Sequence, residues 1–162
     1  MRAALSAFAL CLLAAPALAE NHDHDHADHV AEAEGLRVIH AWAAATPRGD
    51  AALVYMDIEN ATGSEVVLTG GEALGQPLDL VGFGYGATGE TWTVLPALPL
   101  GPGQKLMLAP KVLALRLSDL PQPLEDGGDL DLEVQFGDLH LEAHVEIGAA
   151  DATAHSHAGH MH

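Results

Sequence analysis

The stretch Asp129-Leu130-Asp131-Leu132-Glu133-Val134-Gln135-Phe136-Gly137-Asp138-Leu139-His140-Leu141-Glu142-Ala143-His144-Val145-Glu146-Ile147 alternates apolar and polar residues on both sides of Gly137-Asp138. Successive side chains of a strand point to opposite faces, so this period of two predicts two strands, each with one buried and one solvated face. The Gly-Asp pair between them predicts a tight hairpin. Further strand-like runs lie at 36–42, 51–59, 65–69, 78–85, 91–95, 105–108 and 112–117. Turn-forming stretches such as Thr46-Pro47-Arg48-Gly49-Asp50, Asn60-Ala61-Thr62-Gly63 and Leu100-Gly101-Pro102-Gly103 punctuate them. About nine short strands with no long helical pattern and no internal repeat predict an all-β fold, an antiparallel β-sandwich built as one domain over residues 35–148. That length suffices for a modest core.

The two ends differ in character from this domain. Residues 1–19 read as a secretory signal peptide: Arg2 gives a positive start, residues 3–15 an apolar run, and Ala17-Leu18-Ala19 a small-residue cleavage site. The run is too short to span a membrane and charge follows it directly. The expected location is therefore the periplasm, with no membrane insertion after cleavage. A lipid anchor on Cys11 fits poorly, because Leu10 stands where a small residue is expected. Cys11 is the only cysteine, so its removal with the leader leaves no disulfide and no thiolate ligand.

Residues 20–34 and 149–162 read as flexible tails, and they hold eight of the 11 histidines. The N-terminal tail carries His22-Asp23-His24-Asp25-His26, then Asp28 and His29; the C-terminal tail carries His155, His157, His160, Met161 and His162. So few apolar residues cannot offset the entropy of ordering, and disorder is expected. In His22-x-His24-x-His26 alternate residues of an extended chain project to one side, and the aspartates add oxygen donors. Imidazole suits copper, zinc and nickel. Cleavage after Ala19 would start the mature chain Glu20-Asn21-His22. The terminal amine of Glu20, two backbone amides and the His22 imidazole would then form a square-planar nitrogen site that selects Cu(II) or Ni(II). The thioether of Met161, set between His160 and His162, suits Cu(I). The candidate metal ligands are thus Glu20, His22, His24, His26, His29, His155, His157, His160, Met161 and His162.

Charge and motif content narrow the function. All 23 acidic residues but only five of the six basic ones follow the leader, leaving about −18 with histidine neutral. Such a balance disfavours nucleic acid and anionic membranes and favours cations. No nucleophile elbow, phosphate-binding glycine loop or helix-borne zinc-hydrolase motif occurs, so no enzyme is expected. Gly82, Gly84 and Gly86 alternate through Phe83 and Tyr85 in a strand-like run, and read as a sheet-edge feature. His140 and His144 share the solvent face of one strand about 13 Å apart, too far for one ion. His40 reads as structural.

Val38-Ile39-His40-Ala41-Trp42, Thr46-Pro47, Ala51-Ala52-Leu53-Val54-Tyr55-Met56, Asn60 and the later Pro123-Leu124-Glu125-Asp126-Gly127 followed by 130–136 resemble the periplasmic copper chaperones called PCu(A)C. The resemblance covers most of residues 36–147. It implies a cupredoxin-like (Ig-like) sandwich that carries copper to exported cuproenzymes, with a site of two histidines and two methionines ending in a His-x-Met pair. This chain departs from that pattern. Val81 falls near the first histidine, Trp92 near the first methionine, and Val112-Leu113-Ala114-Leu115 where the pair belongs. Met56 matches a residue packed inside the family's sandwich, and Met107 lies between Leu106 and Leu108. The resemblance therefore implies a degenerate member whose binding has moved to the tails: a periplasmic copper chaperone or buffer, taking Cu(II) and in part Cu(I). Its partner would be a cuproenzyme or its assembly factor. Zinc trafficking and a metal-independent assembly module remain the alternatives.

Overall fold

The structure, a computed structural model, describes residues 29–154. No helix occurs among them. The chain forms β1 (Val30–Ala33), β2 (Leu36–Ala44), β3 (Ala52–Asn60), β4 (Val66–Leu68), β5 (Gly70–Ala73), β6 (Gln76–Gly86), β7 (Gly89–Val94), β8 (Leu98–Leu100), β9 (Lys105–Leu108), β10 (Leu113–Leu117), β11 (Asp129–Phe136) and β12 (Leu139–Gly148).

The alternating stretch folds as its pattern predicts. β11 and β12 pair antiparallel from Asp129↔Glu146 to Phe136↔Leu139. Leu130, Leu132, Val134 and Phe136 enter the core with Leu141, Ala143, Val145 and Ile147. Gly137 at the turn has φ +65°, a value that costs glycine nothing. All nine expected runs become strands, and β1, β5 and β8 add to them. β5 escapes a propensity reading because Gly70-Gly71-Glu72-Ala73 has no β-branched or aromatic residue. Its glycines serve close approach instead: a Cβ on Gly71 would sit 2.7 Å from the Glu133 carbonyl oxygen. Residues 30–33, grouped by composition with the N-terminal tail, pair with β2 from Val30↔Ile39 to Ala33↔Leu36.

The layering corrects the expected sandwich of separate sheets. One sheet runs β2-β12-β11-β5-β6-β10-β3, and a further β2–β3 pairing closes it into a barrel-like wall of seven strands. A purely antiparallel arrangement is also corrected. An odd number of strands cannot close with every neighbour reversed, and β12 meets β2 in parallel, Glu146↔Trp42 to Gly148↔Ala44. The interior is apolar, with Leu36, Met56, Ile58, Leu80, Leu115 and Leu132 among its fully buried side chains.

Two local features shape β3 and β2. Asn60, buried at the end of β3, donates from Nδ2 to the carbonyls of Leu100 (2.8 Å), Ser64 (2.9 Å) and Gly101 (3.1 Å) and accepts from Thr62. It ties two loops together. In β2 the inward parity changes: Leu36 and Val38 face the core, then Ala41 and Ala43 do. The change is a β-bulge between Ile39↔Asp57 and Trp42↔Tyr55, with His40 at φ +51°. Without the bulge His40 would occupy a core position; the extra residue aims it elsewhere.

Candidate metal centre

The positions singled out by the resemblance come together in space, but as an apolar surface. Val81 and Ala114 are cross-strand partners, and Trp92 lies opposite Phe83 on the neighbouring strand. Val81, Ala114, Trp42 and Tyr55 form a small cluster on the outer side of the wall, with Leu53, Trp92 and Ala152 packed against it. The rings of Trp42 and Tyr55 lie 4.8 Å apart. Tyr55 supplies the one side-chain oxygen of the group, the indole N–H groups of Trp42 and Trp92 being donors only, and burial pushes its phenol upward from the ordinary value. A protonated phenol is no metal ligand, so these residues do not fit a histidine–methionine copper site.

The solvent-face histidines have carboxylate neighbours of their own. His140 Nδ1 lies 2.7 Å from Glu133 Oε1. His144 Nδ1 stands 3.5 Å from Asp131 and its Nε2 3.9 Å from Asp129. Gln135 and then His140 hold the Glu133 carboxyl below its ordinary value.

Of the tail ligands, Glu20, His22, His24, His26, His155, His157, His160, Met161 and His162 lie outside the described residues. His29 lies within them and belongs to the body, not to a tail. It opens β1, and its carbonyl accepts a hydrogen bond from the His40 amide at 2.8 Å. The two imidazole centroids are 6.0 Å apart, with planes tilted by 51°. His29 Nδ1 reaches Glu146 Oε1 on β12 at 3.0 Å, and its side chain is only 15% exposed.

The strand layout explains why these three residues meet. β1 covers the first half of one β2 edge, at residues 36–39, and β12 covers the second half, at residues 42–44. His40 sits at the handover. Beyond β12 the chain turns back, so that Thr153 and Ala154 line one cleft with His40, Trp42, Asp57 and Met107. At one described end His29 bonds His40, and at the other Thr153 and Ala154 line the cleft that His40 borders. Among the described residues no group of three or more His, Cys, Asp or Glu side chains is arranged to hold a metal. The reading of His40 as structural missed its neighbour because their contact depends on strand pairing; the parity change in β2 was the available signal.

The sequence profile of the LpqE-like family, described as lipoprotein LpqE-like, matches residues 36–147. No curated protein matches the chain in sequence. Among solved structures, the copper-bound PCuAC domain from PmoF2 is similar at 18% identity and a TM-score of 0.61, over 75% of this chain and 98% of that one. The apo PCuAC domain from PmoF1 is similar at 24% identity and a TM-score of 0.61, over 75% and 99% of the two chains. Apo-DR1885 from Deinococcus radiodurans follows at 21% identity and 0.51, over 94% and 100%. At such identities the likeness is one of fold.

Proposed function

The chain belongs to the LpqE-like family and shares the PCuAC-type fold, and from that premise we propose that it is a periplasmic copper-binding protein, a chaperone or buffer and not an enzyme. It captures copper through its histidine-rich ends, Cu(II) at Glu20-Asn21-His22 and Cu(I) where Met161 joins the imidazoles, and hands it to an exported cuproenzyme or its assembly factor. The family description speaks of a lipoprotein, but Leu10 before Cys11 disfavours lipidation there. Release by cleavage after Ala19 is the reading adopted.

The observation that carries this reading is convergence. His29 hydrogen-bonds His40 through the backbone, and Thr153 and Ala154 line the cleft that His40 borders, which supports a reading in which the two histidine-rich ends act together. The copper-bound PCuAC domain among the similar structures supports copper over another cation. Loss of donors at Val81, Trp92 and Ala114 supports binding elsewhere.

A competitive titration of the mature chain with Cu(II), Cu(I) under reductant and Zn(II) tests the proposal. It is run beside chains lacking 20–28, 155–162 or both, cut there because Val30–Ala33 is a strand and Ala152 is packed. The expected result is tight copper binding that survives zinc and weakens with each removal. Preference for zinc moves the protein to zinc trafficking, and absence of binding leaves an assembly module.

A further inference from the structure

We propose that the outer face of the β6–β7 hairpin is a self-association surface, on which two copies of this chain pack about a twofold axis. The inference goes beyond the copper reading and does not rest on it.

Three observations carry it. The face is apolar and open. Val81↔Val94, Phe83↔Trp92 and Tyr85↔Glu90 are cross-strand pairs, so these side chains share one side of the ribbon, and the Val112 carbonyl accepts the Phe83 amide beside them. Tyr85 is 76%, Val112 53% and Val94 50% exposed. The Phe83 ring meets Tyr85 at 5.4 Å and Trp92 at 5.3 Å, edge to face in both cases. The face thus carries the buried cluster around Val81 and Ala114 onward into solvent. A contiguous apolar patch of this kind marks an interaction site.

The ribbon also lacks backing. Gly84 and Gly89 have nothing within 4 Å of where a Cβ would stand, and among the described strands β7 pairs with β6 alone. A two-stranded ribbon is marginal in water until another layer covers it. Two sheets supply that layer to each other by packing face to face at about 10 Å.

Charge selects a second copy as the occupant. The chain carries a formal charge of −17, so its copies repel on the whole. At the rim of this face each acid has a base: Lys111 Nζ lies 2.8 Å from Glu90 Oε1, and Arg116 Nη2 3.3 Å from Asp79 Oδ2. A twofold axis brings Lys111 of one copy to Glu90 of the other, and the reverse, so a neutral patch bearing both signs complements itself. An apolar centre within a polar rim is the anatomy of a protein interface. Its extent falls short of the roughly 20–30 residues a side of a standard one, and a Kd on the order of micromolar or weaker is expected.

Sedimentation equilibrium of the full mature chain tests the proposal, with a chelator present so that no metal bridges two copies. The expected result is a monomer–dimer equilibrium that strengthens with salt, as screening relieves the net repulsion. The indole N–H signal of Trp92, and not that of the buried Trp42, should shift with protein concentration. Tyr85→Arg should weaken the dimer at least about tenfold, whereas Met107→Arg, exposed on β9, should leave it unchanged. Lys111→Glu and Glu90→Lys should each weaken it about tenfold by opposing like charges. An equimolar mixture of those two variants should recover the wild-type constant, because each copy then offers the other the opposite sign; mixing does not cure a folding defect. A mixture that associates no better than its components overturns the proposed contact, as does an equal loss in Met107→Arg. A monomer up to about 1 mM overturns self-association and leaves the face to a different protein, with the copper reading intact.

Discussion

Replacing Asn60 with alanine removes the side chain that joins the end of β3 to two loops. Its two amide hydrogens are shared among the carbonyls of Leu100, Ser64 and Gly101, and its Oδ1 accepts from the Thr62 amide at 2.9 Å and the Thr62 hydroxyl at 2.6 Å. Five bonds at about 0.5–1.5 kcal/mol net each, reduced because three of them share two hydrogens and exposed Ser64 regains water, give a loss of about 2–4 kcal/mol. For a domain of this size that lowers Tm by about 4 °C per kcal/mol. Urea unfolding reports it through Trp42 and Trp92, which share the outer apolar cluster. The midpoint should fall with the slope unchanged. Thr62→Ala should cost about 0.5–1.5 kcal/mol. The double variant should lose less than the sum, by about 0.5 kcal/mol or more, because the two residues share bonds. A loss below about 0.5 kcal/mol in Asn60→Ala, or strict additivity with Thr62→Ala, would refute the account.

Other outcomes follow from the same packing. Ala114→His inserts a large ring beside Val81, Trp42 and Tyr55, so it should destabilise by about 1–3 kcal/mol without creating tight Cu(I) binding; a gain in Cu(I) affinity from this one change would show that the old site's space survives. Gly71→Ala should lower the urea midpoint by about 1–3 kcal/mol equivalent, since its Cβ meets the Glu133 carbonyl, and an unchanged midpoint would contradict that approach. Lys105 first, with Arg37, holds Glu59 below its ordinary value of 4.5, as Gln135 and His140 do Glu133. Depressed carboxyls give stability that is full above the unfolded value and lost as pH falls through the folded ones. Wild type should therefore weaken from about pH 4.5 downward, whereas Glu59→Gln with Glu133→Gln should start lower at pH 7 and show a flatter acid slope in pH-dependent urea unfolding.

The hairpin 129–147 was fully legible because its pairing is local and its two faces meet different solvents. β5 was not, since its glycines serve the close approach of Leu78 from the adjoining β6 and of Glu133 from the distant β11. β1 was not, since Val30-Ala31-Glu32-Ala33 acquires strand structure only against β2. Closure of the sheet and the parallel β12–β2 contact follow from strand number and order, which no single run of residues carries.

For function the division is similar. Composition placed nitrogen and thioether donors at the two ends, and the lack of histidine and methionine at Val81, Trp92 and Ala114 was legible as a departure from the copper-chaperone pattern, because ligand chemistry belongs to residue types. That Val81, Trp92 and Ala114 are sealed by Trp42 and Tyr55 was a matter of packing. The meeting of His29, His40 and Glu146 was decided by tertiary structure alone. His29 and His40 are joined across the β1–β2 pairing and Glu146 arrives from the far end of the chain; only closing the sheet brings such remote positions together.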